Sequence, residues 1–139
     1  MLGRILLVDD ELHILRAAEF KLKRQNYDVV CATDGEEAWE RIQEQRPDIM
    51  VTDLQMPRLN GIGLIERLRS TTEYADLPVI MLTAKGFEVS TDEIKSRLGV
   101  LDIITKPFSP RDLCKRLQLA LDSVQRHPVV AFAEPGQSP

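Results

Sequence analysis

The sequence contains little cysteine or histidine. Among its 139 residues there are two cysteines, Cys31 and Cys114, and two histidines, His13 and His127. These four residues are too widely spaced for a zinc-ligand pattern, and two cysteines so far apart do not indicate a disulfide framework. We therefore expect neither kind of site, and we interpret both cysteines as buried thiols.

Long apolar runs and an excess of positive charge are also missing. The first apolar run stops at Val8, so it is too short for a signal peptide, and no run reaches the roughly 18 apolar residues of a membrane span. The 18 Lys and Arg residues against 22 Asp and Glu give a net charge of −4, which argues against a basic nucleic-acid-binding surface. We expect a soluble, cytoplasmic protein that binds neither membranes nor, directly, nucleic acids.

Five short apolar runs, rich in Val, Ile, Leu and Met, recur along the chain. They occupy residues 4–8, 28–32, 48–52, 78–82 and 101–105. Near-continuous apolar runs of this length are typical of parallel strands buried on both faces. The segments between them carry apolar residues at helical spacing, such as Ile14, Ala18 and Leu22. This alternation predicts a three-layer, doubly wound α/β fold with five parallel strands around a single core.

The later part of the chain gives signals of unequal strength. Ser109 and Pro110 predict the start of the last helix, because Ser caps helices and Pro fits the first helical position. Residues 85–99 give a weaker helical pattern, and we expect this segment to be mobile. Residues 127–139 contain several Pro residues and lack any sustained periodicity, so we interpret them as a tail or linker stub.

Polar residues collect where the predicted strands end. Asp9 and Asp10 follow the first strand, Asp53 the third, Thr83 the fourth and Lys106 the fifth. Because the carboxyl ends of parallel strands meet at one edge of the sheet, we expect these side chains on one rim. Three neighbouring carboxylates repel one another, and a divalent cation relieves that repulsion. Oxygen ligands without His or Cys favour Mg²⁺ over zinc.

Asp53 has the chemistry of a phosphoryl acceptor at such a site. A carboxylate oxygen can attack phosphorus and form an aspartyl phosphate. The transition state spreads negative charge over the phosphoryl oxygens, so it needs nearby cations and hydrogen-bond donors rather than a strong base. Mg²⁺, Lys106 and the Thr83 hydroxyl would supply them.

These residues and their neighbours resemble the receiver domains of two-component response regulators over roughly residues 3–126. The resemblance rests on motifs at compatible spacing, namely Val8-Asp9-Asp10-Glu11, Asp53 with Met56-Pro57 and Asn60-Gly61, Leu82-Thr83-Ala84, and Thr105-Lys106-Pro107-Phe108. It implies a flavodoxin-like strand order, 2-1-3-4-5, for the predicted sheet. It also implies a cis peptide bond between Lys106 and Pro107.

The resemblance implies a role for each acidic residue on the rim. Asp53 would receive the phosphoryl group from a phosphohistidine on a sensor histidine kinase or a histidine phosphotransfer protein. Asp10, Asp53 and the backbone carbonyl of Gln55 would ligate Mg²⁺ directly. Asp9 would act mainly through water.

The resemblance also implies how phosphorylation is read. Lys106 would pair with the phosphoryl group, and the Thr83 hydroxyl would hydrogen-bond to it and register its arrival. The protein would be a signalling switch rather than an enzyme, limited to phosphorylating and dephosphorylating itself. Phosphorylation would change a surface that binds a downstream effector protein or domain. A homodimer through the fourth helix, fifth strand and fifth helix is one assembly that this family allows.

The sequence departs from the usual receiver pattern near the fifth strand. Many receivers have Tyr or Phe three residues before the lysine, whereas this chain has Ile103. Ile has no ring to fill space vacated by Thr83, so we expect the response to depend on backbone movement at residues 84–86. Gln55 and Lys85 flank the site, and we expect them to affect water access to the phosphoryl group.

Two other functions are compatible with parts of this pattern. A haloacid-dehalogenase-like phosphatase also uses an Asp nucleophile with Mg²⁺, but it carries D-x-D after the first strand, where this chain has Asp9-Asp10-Glu11. The chain also has no long insertion for a cap domain. A pseudo-receiver would bind partners without being phosphorylated, and the presence of every rim residue argues against it.

Overall fold

The computed structural model describes residues 2–84 and 91–126. Strands and helices alternate along these residues, as the sequence predicts. The elements are β1 (Arg4–Val8), α1 (Leu12–Arg24), β2 (Asp28–Ala32), α2 (Gly35–Glu44), β3 (Ile49–Asp53), α3 (Gly61–Ser70), β4 (Val79–Thr83), α4 (Thr91–Leu98), β5 (Asp102–Thr105) and α5 (Pro110–Arg126). A short 3-10 helix, Thr72–Tyr74, lies between α3 and β4 and was not predicted. None of the helices in this described part has the length and hydropathy needed to cross a bilayer.

The five strands form one parallel sheet in the order β2-β1-β3-β4-β5. This flavodoxin-like order confirms the predicted doubly wound fold. Strand β1 lies between β2 and β3, so the chain winds away from it in two opposite directions. In such sheets the crevice at the carboxyl ends of β1 and β3 is where ligands bind.

The sheet is buried on both faces because successive strand residues point to opposite sides. In β1, Leu6 and Val8 face one hydrophobic cluster, whereas Ile5 and Leu7 face the other. Helices α2, α3 and α4 cover the first cluster, and α1 and α5 cover the second. Every residue of β3 and β4 is buried, so these middle strands hold the residues at their carboxyl ends in fixed positions.

Three strands, β3, β4 and β5, begin one residue later than predicted. Asp48 precedes β3, and its carboxylate accepts a hydrogen bond from the Arg4 N–H at 2.7 Å. Pro78 precedes β4 and has no N–H to donate to a sheet ladder. Strands β3 and β4 also end one residue later, at Asp53 and Thr83. Both side chains therefore belong to the sheet and not to the loops beyond it.

Helix α4 lies inside the segment predicted to be mobile, residues 85–99. Ile94 and Leu98 are buried in the core, which agrees with a helix at this point in the sequence. Residues 85–90 and the predicted tail, residues 127–139, lie outside the described residues. The expectations about their mobility and extent stay predictions.

The structure after β5 agrees with the sequence-based predictions. The peptide bond between Lys106 and Pro107 is cis, as the resemblance implies. The Ser109 hydroxyl accepts a hydrogen bond from the Asp112 N–H at 3.0 Å. This cap confirms the predicted start of α5 at Pro110.

The two cysteines are free and only half-buried, so their interpretation as buried thiols is wrong in degree. Cys31 lies on β2, an edge strand of the sheet, where the helices cover the side chain incompletely. The pKa of the Cys31 thiol is raised to about 12, mainly by partial burial and further by the nearby Glu19 carboxylate. This thiol is therefore protonated at neutral pH.

Candidate functional site

The carboxyl ends of the strands bring the predicted rim residues to one edge of the sheet. Strands β1 and β3 pair in register, so Asp9 and Asp53 lie side by side. Strands β4 and β5 also pair in register, and the Lys106 N–H donates to the carbonyl of Thr83 at 2.7 Å. Sheet register thus places the acid after β1, an acid from β3, a hydroxyl from β4 and the lysine after β5 next to one another.

Asp9, Asp10 and Asp53 form one acidic cluster. Each offers a carboxylate oxygen, and these oxygens lie within 4.8 Å of one another. Asp9 is 2% exposed and Asp53 is 6% exposed, whereas Asp10 is open to solvent. Two acids are therefore buried, and the third faces the side from which an ion can enter.

Lys106 supplies positive charge to this acidic cluster. Its Nζ lies 2.7 Å from Oδ2 of Asp9 and 3.3 Å from Oδ2 of Asp53. Lys106 is buried as well, so water screens these ion pairs only weakly. One ammonium does not balance the three carboxylates of the cluster. A divalent cation would offset the remaining negative charge.

The two oxygens of the Asp9 carboxylate have different partners. The Glu11 N–H donates to Asp9 Oδ1 at 2.9 Å and fixes the orientation of the carboxylate. Oδ2 is buried, and its close partner is the Lys106 ammonium at 2.7 Å. A carboxylate oxygen has two lone pairs, so this ion pair leaves it able to accept a further contact. A cation, or a water bound to one, would complete its contacts.

The pKa values of Asp53 and Lys106 follow from this arrangement. Burial raises the pKa of Asp53, and the neighbouring Asp9 raises it further, while Lys106 opposes both effects. Burial by itself lowers the pKa of Lys106, but the Asp9 and Asp53 carboxylates outweigh burial and raise this pKa above its usual value. Lys106 is therefore protonated at neutral pH, and a cation near Asp53 would favour its ionised form.

The donor atoms of the cluster fit Mg²⁺. The side-chain ligands that the cluster offers are all carboxylate oxygens. Mg²⁺ prefers oxygen ligands and commonly binds through one or two carboxylates while keeping several waters. The exposed position of Asp10 leaves one side open for those waters and for a phosphoryl oxygen.

An open cleft of about 390 Å³ adjoins the acidic cluster. Its walls are formed by Asp10, Glu11, Asp53, Gln55, Met56, Ala84 and Lys106. A water molecule occupies about 30 Å³ in the liquid, so the cleft has room for a hydrated ion together with a phosphoryl group. Gln55 is exposed at this wall, whereas Thr83 is buried on the adjoining strand.

Glu11 belongs to the site, although the sequence pattern assigned it no role. Its Oε1 lies 3.7 Å from the Lys106 Nζ, and the side chain is about half exposed. Glu11 is also the N-cap of α1 but makes no side-chain capping hydrogen bond, so its carboxylate is available to the cleft. One signal in the sequence could have indicated a role for Glu11 in the site. Glu is not among the residues preferred at helix N-caps, which are Ser, Thr, Asp and Asn.

Ile103 stands where many receivers have an aromatic residue. It is half-buried and packs against the cluster covered by α2, α3 and α4. Ala84 is exposed at the end of β4, whereas Lys85 and Gly86 lie outside the described residues. The expected backbone response and the expected effect of Lys85 stay predictions.

The fold and the site together define a doubly wound α/β protein with an acidic cleft at the carboxyl edge of its sheet. The chain belongs to the response regulator receiver domain family, whose model matches residues 5–118. It is thus a receiver domain of two-component signalling, as the sequence motifs predicted. Receiver domains are signalling switches that interact with histidine kinases and effector domains.

Named relatives agree with this assignment. The chain is 40% identical over 119 residues to the alkaline phosphatase synthesis transcriptional regulatory protein PhoP of Bacillus subtilis (strain 168), a match that covers 85% of this chain and 48% of that protein. The chain therefore spans about half the length of this relative. The structure of the chemotaxis response regulator CheY4 of Vibrio cholerae is 28% identical, with a TM-score of 0.78 over 86% of this chain and 99% of that one. The receiver domain of the Francisella response regulator 1452 is 30% identical, with a TM-score of 0.76 over 88% of this chain and 98% of that one.

Proposed function

We propose that Asp53 accepts a phosphoryl group from a phosphohistidine of a sensor histidine kinase or a histidine phosphotransfer protein, in a reaction that requires Mg²⁺. The receiver then switches a surface that binds a downstream effector protein or domain. One observation carries the proposal: the buried Asp53 carboxylate shares the acidic cluster with Asp9 and Asp10 and lies 3.3 Å from the Lys106 ammonium.

The proposed reaction is a single transfer of phosphorus. A carboxylate oxygen of Asp53 attacks phosphorus and forms the P–O bond of an acyl phosphate. The P–N bond to the donor imidazole breaks, and its electron pair stays on the nitrogen. Negative charge develops on the phosphoryl oxygens. The Lys106 ammonium offsets this charge, and the Thr83 hydroxyl donates a hydrogen bond to one of these oxygens.

Mg²⁺ would supply further positive charge at the phosphoryl oxygens. Asp10, Asp53 and the backbone carbonyl of Gln55 would hold it directly, and Asp9 would act mainly through a water. The buried Oδ2 of Asp9, which can accept a contact beyond its ion pair with Lys106, and the exposure of Asp10 support this division. The open cleft supports access for a phosphohistidine donor from solvent.

Phosphorylation can shift the domain only through contacts that differ between two conformations. We place the change at β4, α4 and β5, because Thr83 ends β4 and Lys106 follows β5. A homodimer through α4, β5 and α5 is one way in which the new conformation would act. On that face Arg116 of α5 donates two hydrogen bonds, of 2.7 and 2.6 Å, to the carboxylate of Asp102 in β5.

We propose residues 3–126 as the receiver unit and residues 127–139 as a tail or linker. The Bacillus subtilis relative is a transcriptional regulatory protein about twice as long as the matched region. An effector module in the same polypeptide is therefore one form of output, and a separate effector protein is the other. The reading frame beyond Pro139 distinguishes them.

Labelling with a small acyl-phosphate donor tests the role of Asp53. Wild-type protein incubated with acetyl phosphate and Mg²⁺ should gain one phosphoryl group, detected by intact-mass spectrometry. Asp53→Asn should gain none, because the neutral amide lacks the carboxylate nucleophile. Asp122→Asn, which neutralises an exposed carboxylate on α5, is the matched control and should label like wild type. Equal labelling of Asp53→Asn would refute the assignment, and an unlabelled wild type would favour a pseudo-receiver.

We also propose that phosphoryl chemistry is confined to the receiver's own aspartate. A multiple-turnover assay with p-nitrophenyl phosphate and Mg²⁺ should show no release of product beyond the slow loss of the protein's own phosphoryl group. Sustained turnover that depends on Asp53 would instead identify a phosphatase. The same preparation, checked for labelling by acetyl phosphate, shows that the site is intact.

A further inference from the structure

Gly61 begins α3 and lies against the backbone of the proposed phosphoacceptor. The Gly61 N–H donates to the carbonyl of Leu54 at 2.9 Å. A Cβ atom at position 61 would lie 2.2 Å from the carbonyl oxygen of Asp53 and 3.0 Å from Cα of Leu54. The absence of a side chain is therefore what allows α3 to approach β3 so closely.

The Asp53 backbone is held within the sheet. Asp53 is the last residue of β3, which pairs with β1 on one side and β4 on the other. The N–H of Leu54 donates to the carbonyl of Leu82 in β4 at 2.9 Å. The peptide between Asp53 and Leu54 therefore has little freedom to move away from a new side chain at position 61.

Helix α3 is also fixed in position, by its packing in the core and by its N-terminal cap. Leu64, Ile65 and Leu68 are fully buried in the core, and the Asn60 side chain caps the helix by accepting from the Gly63 N–H at 2.8 Å. Real Cβ atoms essentially never lie closer than 3.0 Å to another heavy atom, so a Cβ placed 2.2 Å from the Asp53 carbonyl oxygen would force a relative shift of about 1 Å between α3 and the end of β3. Close packing on both sides means that Asp53 shares this shift.

We propose that Gly61 is a positioning residue, whose missing side chain sets the place of the Asp53 carboxylate for metal binding and phosphoryl transfer. The inference rests on the proposed function of Asp53. Gly61 acts through the backbone of Asp53 and contributes no group to the reaction. A misplacement of about 1 Å at a reacting group can cost about 100-fold in rate, so the effect of Gly61→Ala should be large.

Two other glycines supply matched controls. A Cβ at Gly35 would lie 2.1 Å from the carbonyl oxygen of Leu59 and 2.6 Å from its Cβ. Gly35→Ala therefore creates a clash of similar severity between α2 and the loop before α3, and the atoms that it meets first belong to Leu59 and not to Asp53. Gly63→Ala places the same substitution in α3, where the new Cβ would meet the flexible end of the Leu59 side chain at 2.9 Å.

The experiment compares Gly61→Ala, Gly35→Ala and Gly63→Ala with wild type. It measures the free energy of unfolding in urea, the Mg²⁺ affinity by calorimetry and the labelling rate at saturating acetyl phosphate. We expect Gly61→Ala to bind Mg²⁺ about tenfold more weakly, and to label about 10- to 100-fold more slowly, than Gly35→Ala of similar stability. Gly63→Ala should stay within about threefold of wild type in both measurements.

Two results would overturn the inference: a Gly61→Ala variant with wild-type Mg²⁺ affinity and labelling rate, or an equal loss in Gly35→Ala. Failure of the wild type to label would overturn the proposed function of Asp53 instead, so the two failures are distinguishable. If Gly61→Ala is unfolded in buffer, the comparison is made in sucrose, which strengthens apolar burial.

The wild-type protein provides a second measurement that needs no variant. In a titration with Mg²⁺ followed by NMR, the amide signal of Gly61 should shift with the same midpoint as that of Leu54, because the Leu54 N–H shares a peptide with the Asp53 carbonyl and the Gly61 N–H donates to the Leu54 carbonyl. The Gly63 amide should shift less. A Gly61 signal that does not respond to Mg²⁺ while Leu54 does would contradict the proposed coupling.

Discussion

The ammonium of Lys106 lies 3.3 Å from the Asp53 carboxylate, although β4 separates the two strands from which these residues come. Lys106 follows β5, and its side chain extends past the end of β4 to reach the acidic cluster. The same ammonium is 2.7 Å from Asp9, which follows β1. One cation therefore connects the carboxyl ends of β1, β3 and β5.

Lys106→Ala should slow the labelling of Asp53 without abolishing it, because the nucleophile and the carboxylate ligands remain. Loss of one charge-stabilising group commonly costs about 100-fold in rate, and we expect a loss of this order. The gain in effector affinity on phosphorylation should disappear. Lys115→Ala, which removes an exposed lysine on α5, should label like wild type. An unchanged gain in effector affinity in Lys106→Ala would remove the proposed role of Lys106.

Asp53→Asn should stabilise the metal-free domain at neutral pH. The pKa of Asp53 in the folded state is raised, first by burial and then by Asp9. A carboxyl group of this kind contributes stability while it is protonated, and that stability is lost as pH rises through its folded-state pKa. The neutral amide avoids this loss, so we expect a gain of roughly 1 kcal/mol in the free energy of unfolding at pH 7.

Urea unfolding in EDTA at several pH values measures this difference. The gain should shrink below about pH 4, where the carboxyl group is protonated in the unfolded chain too. Asp122→Asn controls for the loss of one negative charge elsewhere on the domain. Equal stability of wild type and Asp53→Asn at pH 7 would contradict the prediction.

Mg²⁺ should stabilise the folded domain, because the acidic cluster exists only in the folded chain. With free Mg²⁺ tenfold above its dissociation constant, the gain in unfolding free energy is about 1.4 kcal/mol. Asp10→Asn should lose most of this gain while keeping near-wild-type stability in EDTA, since Asp10 is exposed. Thermal unfolding with and without Mg²⁺ measures both quantities. A gain that persists unchanged in Asp10→Asn would show that the ion binds elsewhere.

Arg69→Met should destabilise the fold more than loss of a surface ion pair. Arg69 donates to the carbonyls of Leu98 and Leu77, each at 2.7 Å, and burial lowers the pKa of its guanidinium. Met keeps the length of the side chain but leaves these carbonyls without a donor, so we expect a loss of about 2–3 kcal/mol. Arg97→Met, which breaks an exposed ion pair with Glu66, should cost less than about 0.5 kcal/mol. Urea unfolding of both variants makes the comparison, and equal losses would contradict it.

Most strand positions were predictable, because buried parallel strands carry apolar residues on both faces. Strands β1 and β2 match their predicted ranges at both ends. Strands β3 and β4 are shifted by one residue. Their last residues, Asp53 and Thr83, pair with the neighbouring strand although both are polar. Asp48 bonds to Arg4, and nothing in the local apolar pattern of either segment shows this pairing.

The sequence predicted which residues belong to the site, but it did not predict the contacts between their side chains. Asp9, Asp53 and Lys106 stand out because charged residues directly follow apolar strands. That Lys106 lies closer to Asp9 than to Asp53, and that Glu11 joins them, depends on side-chain positions across different strands. Spacing along the chain contains no measure of those distances.

By itself, the sequence determined the alternation of strands and helices, the family, and the set of side chains at the carboxyl edge of the sheet. Apolar periodicity and residue type are properties of a single segment, so they can be recognised without knowing which other segments pack against it. Only the tertiary structure decided that three carboxylate oxygens lie within 4.8 Å and that Gly61 abuts the Asp53 carbonyl. Both follow from how strands pair and how α3 packs on β3, and packing joins residues that lie far apart in the chain.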